Sequence, residues 1–396
     1  MTRKHVVGTK TTKSLCIFLA ATAALGASLA GCIMPEQVPP VVDRRKAYID
    51  ASTTLRQAAD DSDAVTRAHA MEALALVRPS QAGPVLKQAL GDSYPAVRFA
   101  AAMAIGDVKY LPAKEILQSM AQRRDKSDLA EPDKRVLCAV IYALHRLGET
   151  GFTSELAGLL RDGEKEVRAN AAMVMGKMDE PSARFPLKMQ MDVEHDPSVQ
   201  LQLMESLALL GDEENALRLE GHTKTQFMED RLVAIEAMEK TRSSRSLPVL
   251  RHLTIERQPP RIRVAALGAL AKMGDVDQDG YEYIVRCITH SDDVMRRAYT
   301  DGREIASLEI TSLQRLAAIT LGQMGKPEGA DVLHPLLLSA DGGVRVAAAM
   351  SLVNLLAAYE PVTAAPVAES PAVETPADKG EMDLPLPSLH VSGAKD

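Results

Sequence analysis

Two stretches of the chain, Val97-Arg98-Phe99-Ala100-Ala101-Ala102-Met103-Ala104-Ile105-Gly106 and Val167-Arg168-Ala169-Asn170-Ala171-Ala172-Met173-Val174-Met175-Gly176, are one pattern written twice. In each, a β-branched residue and an arginine are followed by alanine, then by a small residue, a large aliphatic and a glycine. Further copies begin at Ile262-Arg263 and Val344-Arg345, and weaker ones at Thr66, Val136, Val199, Asp230 and Leu313. The nine starts, 66, 97, 136, 167, 199, 230, 262, 313 and 344, lie 31 or 32 residues apart except for spacings of 39 and 51. A fixed period of this length marks a stacked array of one repeated unit.

Counting from each start, offsets four, seven and eight share one helical face. Offset seven holds Ala73, Ala104, Ala143, Val174, Ser206, Ala237, Ala269, Thr320 and Ser351, none of them large, so a neighbouring helix can approach closely there. An apolar helical stretch precedes each copy, as in Gln81–Leu90, Ser154–Leu160 and Ala330–Leu338. Gly and Pro punctuate the joins at Gly83-Pro84, Glu180-Pro181 and Lys326-Pro327. The expected fold is all-α: about nine helical hairpins over residues 44–359. Aromatics make up 3% of the chain and tryptophan is absent, which suits closely packed helices and not a β-rich core.

This pattern resembles the HEAT family, in the short-repeat form shared with phycobilisome-lyase-type repeats, over about 310 residues. The resemblance implies an α-solenoid in a right-handed superhelix, first helices outside and Val-Arg helices lining the concave side. It also implies an Asp–Arg ladder, here Asp92 with Arg98, Asp162 with Arg168 and Asp341 with Arg345, broken at Leu137, Gln200 and Gln314. It says almost nothing about function.

The chain opens on an address. Residues 1–13 are polar and basic, residues 14–30 apolar and uncharged, as in a secretory signal. Leu29-Ala30-Gly31-Cys32 resembles the lipobox of bacterial lipoproteins, which implies cleavage after residue 31 and acylation of the Cys32 thiol, palmitate included. Two or more acyl chains hold a protein stably on a bilayer. The expected location is the bacterial cell envelope. Ile33, where an aspartate would favour inner-membrane retention, points to the outer membrane facing the periplasm. Residues 32–43 read as an extended, proline-bearing tether, and residues 360–396, rich in Pro, Ala, Val and Glu, as a disordered tail. The net charge is −7, and −11 once a leader with four cations and no acid is removed, which disfavours nucleic acid.

Catalytic constellations are missing from the sequence. No H-x-x-x-H pair, His-Glu dipeptide, P-loop, G-x-S-x-G or G-x-G-x-x-G occurs. Cys138 and Cys287 read as buried free thiols. Asp275, Asp277 and Asp279 with Gly280 resemble the start of a calcium loop, but position twelve is Arg286, where the ion needs a bidentate carboxylate. The competing reading is an acidic turn that caps the next helix. The expectation is therefore no enzyme, no cofactor and no small-molecule substrate, but a lipid-anchored scaffold that binds a protein or peptide on its concave face. The residues put forward for that face are Met103, Tyr142, Met173, Lys177, Glu205, Glu236, Lys240 and Lys272. The rival reading is a metal- or cofactor-dependent enzyme built on the Asp275–Asp279 loop, or on the insertions at residues 123–131 and 291–308 that cause the long spacings.

Overall fold

A computed structural model describes residues 41–122, 133–299 and 304–360. The leader, Cys32, the insertion at 123–131 and all of the tail past Glu360 lie outside the described residues. Among those described there are nine hairpins. The first pairs α1 (Arg44–Ala58) with α2 (Ala64–Val77), the second α3 (Pro79–Ala89) with α4 (Pro95–Val108) and the third α5 (Lys114–Gln122) with α6 (Lys134–Arg146). Next come α7 (Leu156–Leu159) with α8 (Lys165–Lys177), α9 (Arg184–Met191) with α10 (Pro197–Leu209) and α11 (Glu213–His222) with α12 (Met228–Thr241). The seventh joins α13 (Leu247–His252) to α14 (Pro260–Lys272). In the eighth, α15 (Gln278–Thr289) is followed by an added α16 (Ser291–Ala298), which falls in the second insertion, before α17 (Ser307–Gln323). In the ninth, α18 (Gly329–Leu333) runs through a 3-10 turn into α19 (Gly342–Leu355).

The repeat frame has a local cause. Every positive-φ residue among those described falls twelve residues after a repeat start: Lys109, Gly148, Asp179, Gly211, Arg242, Gly274 and Gly325. The left-handed conformation there ends the second helix and turns the chain back into the next hairpin. This fixes the frame of the weak copies at Asp230 and Leu313. At the other end of these helices, Asp63, Asp133, Asp196 and Asp341 accept backbone N–H bonds as N-caps. Three of the left-handed positions carry a side chain that glycine would spare. Lys109→Gly, Asp179→Gly and Arg242→Gly are each expected to raise stability by about 0.5–1 kcal/mol, read as a higher urea midpoint. A lower midpoint would put the helix ends elsewhere.

Second helices pack on one another through the small residues of the motif. A Cβ at Gly176 would lie 2.7 Å from Ser206 Cα, and one at Gly106 would lie 2.7 Å from the Tyr142 ring. Offset nine of one repeat thus nests against offset six or seven of the next. The Ser351 hydroxyl donates to the Ala318 carbonyl at 2.9 Å, stitching α19 to α17. One expected join does not separate elements: Gly83-Pro84 lies inside α3, where Gly83 makes room for the Tyr110 ring.

The array does not stay open. α19 packs against both α1 and α2, so the ninth second helix adjoins the first and the second helices form an unbroken ring. The core follows: one hydrophobic cluster runs from the last repeats through α1 and on to α10, with two smaller clusters in repeats five to seven. Arg44 binds Asp331 through both terminal nitrogens at 2.9 Å, and His334 Nε2 lies 2.9 Å from Asp50. Tyr48, Ala51 and Leu55 of α1 are buried by this closure. The solenoid is present as expected. Its two ends meet, so the concave face expected to take a partner is the inside of a ring.

Candidate functional site

The arginine ladder comes first, because it fixes one edge of the ring. Arg67, Arg98, Arg168 and Arg345 each donate through Nη1 to two carbonyls of their own hairpin turn. The rest of the guanidinium reaches forward one repeat: Arg67 to Asp92 at 2.8 Å, Arg168 to Glu194 at 2.7 Å. The expected pairs Asp92–Arg98, Asp162–Arg168 and Asp341–Arg345 are therefore out by one repeat. Asp92 and Asp162 are held by Arg67 and Lys134 of the preceding hairpins, and Asp341 caps α19. Gln200 keeps only the turn contact, to the Glu194 carbonyl at 2.6 Å. Arg263 stacks on Tyr283 of the next repeat at 3.7 Å. The ladder is cyclic: Arg345 of the ninth repeat binds Asp61 of the first at 2.9 Å.

Packing between neighbouring second helices takes part of the proposed concave surface out of solvent. Met103, Tyr142 and Glu205 are buried, whereas Met173 is half-buried and Lys177, Glu236, Lys240 and Lys272 retain solvent access. Lys177 reaches across two repeats to Asp107 at 2.7 Å and lies over the Tyr142 ring, whose hydroxyl also donates to Asp107 at 2.6 Å. Lys240 binds Glu205 at 2.8 Å and Glu236 at 2.9 Å, and Lys272 binds Glu239. Burial lowers the Lys240 pKa, but Glu236 and Glu205 outweigh it and hold the ammonium above the usual lysine value. Glu72, exposed on the inner face, feels Lys177 of the fourth repeat, Arg315 of the eighth and Glu236 of the sixth. Enclosure raises its carboxyl pKa despite both cations. The interior is thus crossed by charges from four sectors that answer one another.

The acidic loop behaves as a turn. Asp275 binds Arg251 at 2.7 Å, and Asp277 caps α15 through the Gly280 N–H. Among the described residues no group of three His, Cys, Asp or Glu side chains could hold a metal ion. Cys138 and Cys287 are buried free thiols, and burial pushes both pKa values up to about 12, where a thiolate nucleophile is lost. Among the described residues no helix is long and apolar enough to cross a membrane.

A surface the sequence reading passed over lies outside the ring. Phe185 and Met189 of α9 and Val193 just past it are 73%, 52% and 60% exposed. They flank an open cavity of about 1080 Å³, walled by Pro186 and Pro197 and by the hairpin turns of repeats four and five. Arg161 stands at its rim, exposed and with no partner among the described residues, while Arg168 is spent on Glu194. The signal was present. Phe185, Met189 and Val193 recur every four residues, a second apolar row beside the buried one through Leu187.

A family profile for HEAT repeats matches residues 52–131 and 127–208. No curated protein sequence matches the chain. Among solved structures, an engineered protein is 14% identical, with 77% of this chain and 98% of that one covered at a TM-score of 0.27. The complex of CpcE and CpcF of phycocyanin lyase from Nostoc sp. PCC7120 is 18% identical, with 68% and 93% covered at a TM-score of 0.27. Residues 52–208 thus match HEAT repeats, and hairpins of the same frame continue the all-α solenoid to Tyr359.

Proposed function

We propose that the chain is a lipid-anchored envelope scaffold whose groove along α9 docks an acidic, apolar segment of a protein partner. The observation that carries the reading is the row Phe185, Met189 and Val193, three large apolar side chains left in water beside an open cavity. Isolated exposed apolar residues need no explanation, but a contiguous row along a groove is a docking feature. Arg161, free at the rim, supplies the charge complement for an acidic partner. The inner face serves less well, because its candidate residues are buried or bound to one another. Anchoring through Cys32, with the outer membrane as the site, is supported by Leu29-Ala30-Gly31-Cys32 and Ile33.

Crosslinking from native envelope, with the captured protein identified and its acidic segment then titrated as a synthetic peptide, tests the partner. Phe185→Glu with Met189→Glu is expected to weaken the peptide at least roughly tenfold, since burying two such side chains is worth about 1.5–3 kcal/mol each. Glu236→Lys, inside the ring, is expected to leave it unchanged. The opposite pattern would return the site to the inner face. Palmitate labelling lost in Cys32→Ala checks the anchor.

A further inference from the structure

The start of the described chain is held at a defined place on the ring. The Val42 N–H donates to Asp331 at 2.8 Å, Arg44 clasps the same carboxylate, and Asp43 caps α1 through the Lys46 N–H. The start of α1 is thereby pinned to α18, on the edge where one hairpin passes to the next. The opposite edge carries the turns inside each hairpin, and with them the arginine ladder and the α9 groove.

On the edge of departure, repeats nine, one and two are consecutive across the closure and present four apolar side chains to solvent. These are Val41 before α1, Leu76 in the last turn of α2, Leu111 at the join of α4 and α5, and Tyr359 after α19. Their exposures are 79%, 72%, 62% and 47%. Arg45, Lys46 and Lys109 stand exposed on this edge, and their side chains have no partner among the described residues. Asp107 there is bound to Lys177, and Glu360 lies 3.5 Å from Arg78.

We infer that this edge lies on an anionic lipid surface, with the α9 groove facing away from it. The inference rests on acylation of Cys32. Eight residues lie between that cysteine and Val41, and the nine steps from Cys32 to Val41, at about 3.3–3.6 Å each, reach roughly 30 Å at full extension. Acylation therefore keeps Val41 within roughly 30 Å of the bilayer and favours the edge it stands on. Apolar side chains interleaved with unpaired cations are the composition that a headgroup boundary rewards. The other edge of the same repeats also exposes Val65, Tyr94 and Leu338, but there Asp61 and Asp92 are bound to Arg345 and Arg67, Asp60 stands exposed beside Arg56, and the chain does not leave toward Cys32 from that side.

The chain has no tryptophan, so one introduced indole reports its own surroundings. Leu111→Trp and, on the other edge, Tyr94→Trp are compared in the full-length acylated protein. It is reconstituted in vesicles of phosphatidylethanolamine and phosphatidylglycerol that carry brominated acyl chains. The expected result is blue-shifted emission at position 111, quenched several-fold more strongly than at position 94. Equal, weak quenching at both positions in protein that stays on the vesicles overturns the orientation and leaves the anchor standing. Protein that carries no lipid on Cys32 and does not stay on the vesicles overturns both.

Discussion

Replacing Gly342 with valine is expected to spring the ring open, at a cost of about 1–3 kcal/mol, and to leave the first helix unprotected. Gly342 is the first residue of α19, and a Cβ there would run into the Thr66 hydroxyl at the start of α2. Thr66 has nowhere to go. It is buried, and its hydroxyl donates to Asp63 at 2.7 Å in the N-cap of its own helix. Relief must come from moving α19 away from α2, and that uncovers Tyr48, Ala51 and Leu55. Gly343→Ala is the matched control, because its Cβ would meet the Arg315 and Asp341 side chains, each at 3.2 Å, and nothing on α2. Hydrogen exchange on the α1 amides is the measurement. In the closed ring these amides exchange as slowly as those of central repeats, and Gly342→Val accelerates them far more than Gly343→Ala does. An α1 that exchanges fast in the wild-type protein would mean the ends do not hold each other, since terminal repeats of an open array fray first.

The hairpin was legible in the sequence because its determinants are local. Small residues at offset seven recur in every copy, the left-handed turn at twelve in seven and glycine at nine in three, and all of them act between neighbours. Closure is different. It results from small rotations summed over nine interfaces, and no single copy encodes the sum. Asp331, Asp50 and Asp61, which hold the ends together, read along the chain as ordinary surface acids. The ladder shows the same limit in miniature. Arg168 stands six residues after Asp162 and 26 before Glu194, and proximity along the chain favoured the wrong carboxylate. The guanidinium has donors enough for both directions and uses the near residue only through its carbonyl. At the inner face, Met103 and Tyr142 are buried by their neighbours in the stack, Tyr142 against Gly106 of the preceding second helix, a contact that spacing along the chain does not show. The α9 row, by contrast, was readable, since Phe185, Met189 and Val193 stand four residues apart.

Arg168→Ala is expected to cost about 3 kcal/mol, more than any other rung of the ladder. Its partner Glu194 is the most enclosed acid in that series, with a side chain 3% exposed, and removing one member of a buried pair leaves the other charge uncompensated. Glu194 keeps the Gln190 amide at 3.0 Å and the His195 and Asp196 N–H groups at 3.1 and 3.0 Å, which holds the loss to the lower end of the range for such pairs. Arg345→Ala, whose pair with Asp61 is about a quarter exposed on both sides, is expected to cost 1 kcal/mol or less by the general weakness of solvated ion pairs, roughly 0–1 kcal/mol. Acid supplies an independent readout. The Arg168 hydrogen bond, opposed by burial and aided by the Asp196 N–H and Gln190, brings the Glu194 pKa down to about 2 from 4.5. A depressed carboxylate contributes stability that is whole above its unfolded pKa and is lost as pH falls through the folded one. At about 1.4 kcal/mol per unit, roughly 3 kcal/mol should disappear between pH 4.5 and 2 in the wild type. The Arg168→Ala protein should lose much less over that interval, because its Glu194 titrates nearer the ordinary value. Replacing both partners, Arg168→Met with Glu194→Leu, should recover more than half of the single-variant loss, since no buried charge is left unpaired. Urea denaturation at pH 7 and across the acid range measures all three. If Arg168→Ala cost no more than Arg345→Ala and left the acid limb unchanged, the Arg168–Glu194 rung would be a solvated surface pair and not a buried one.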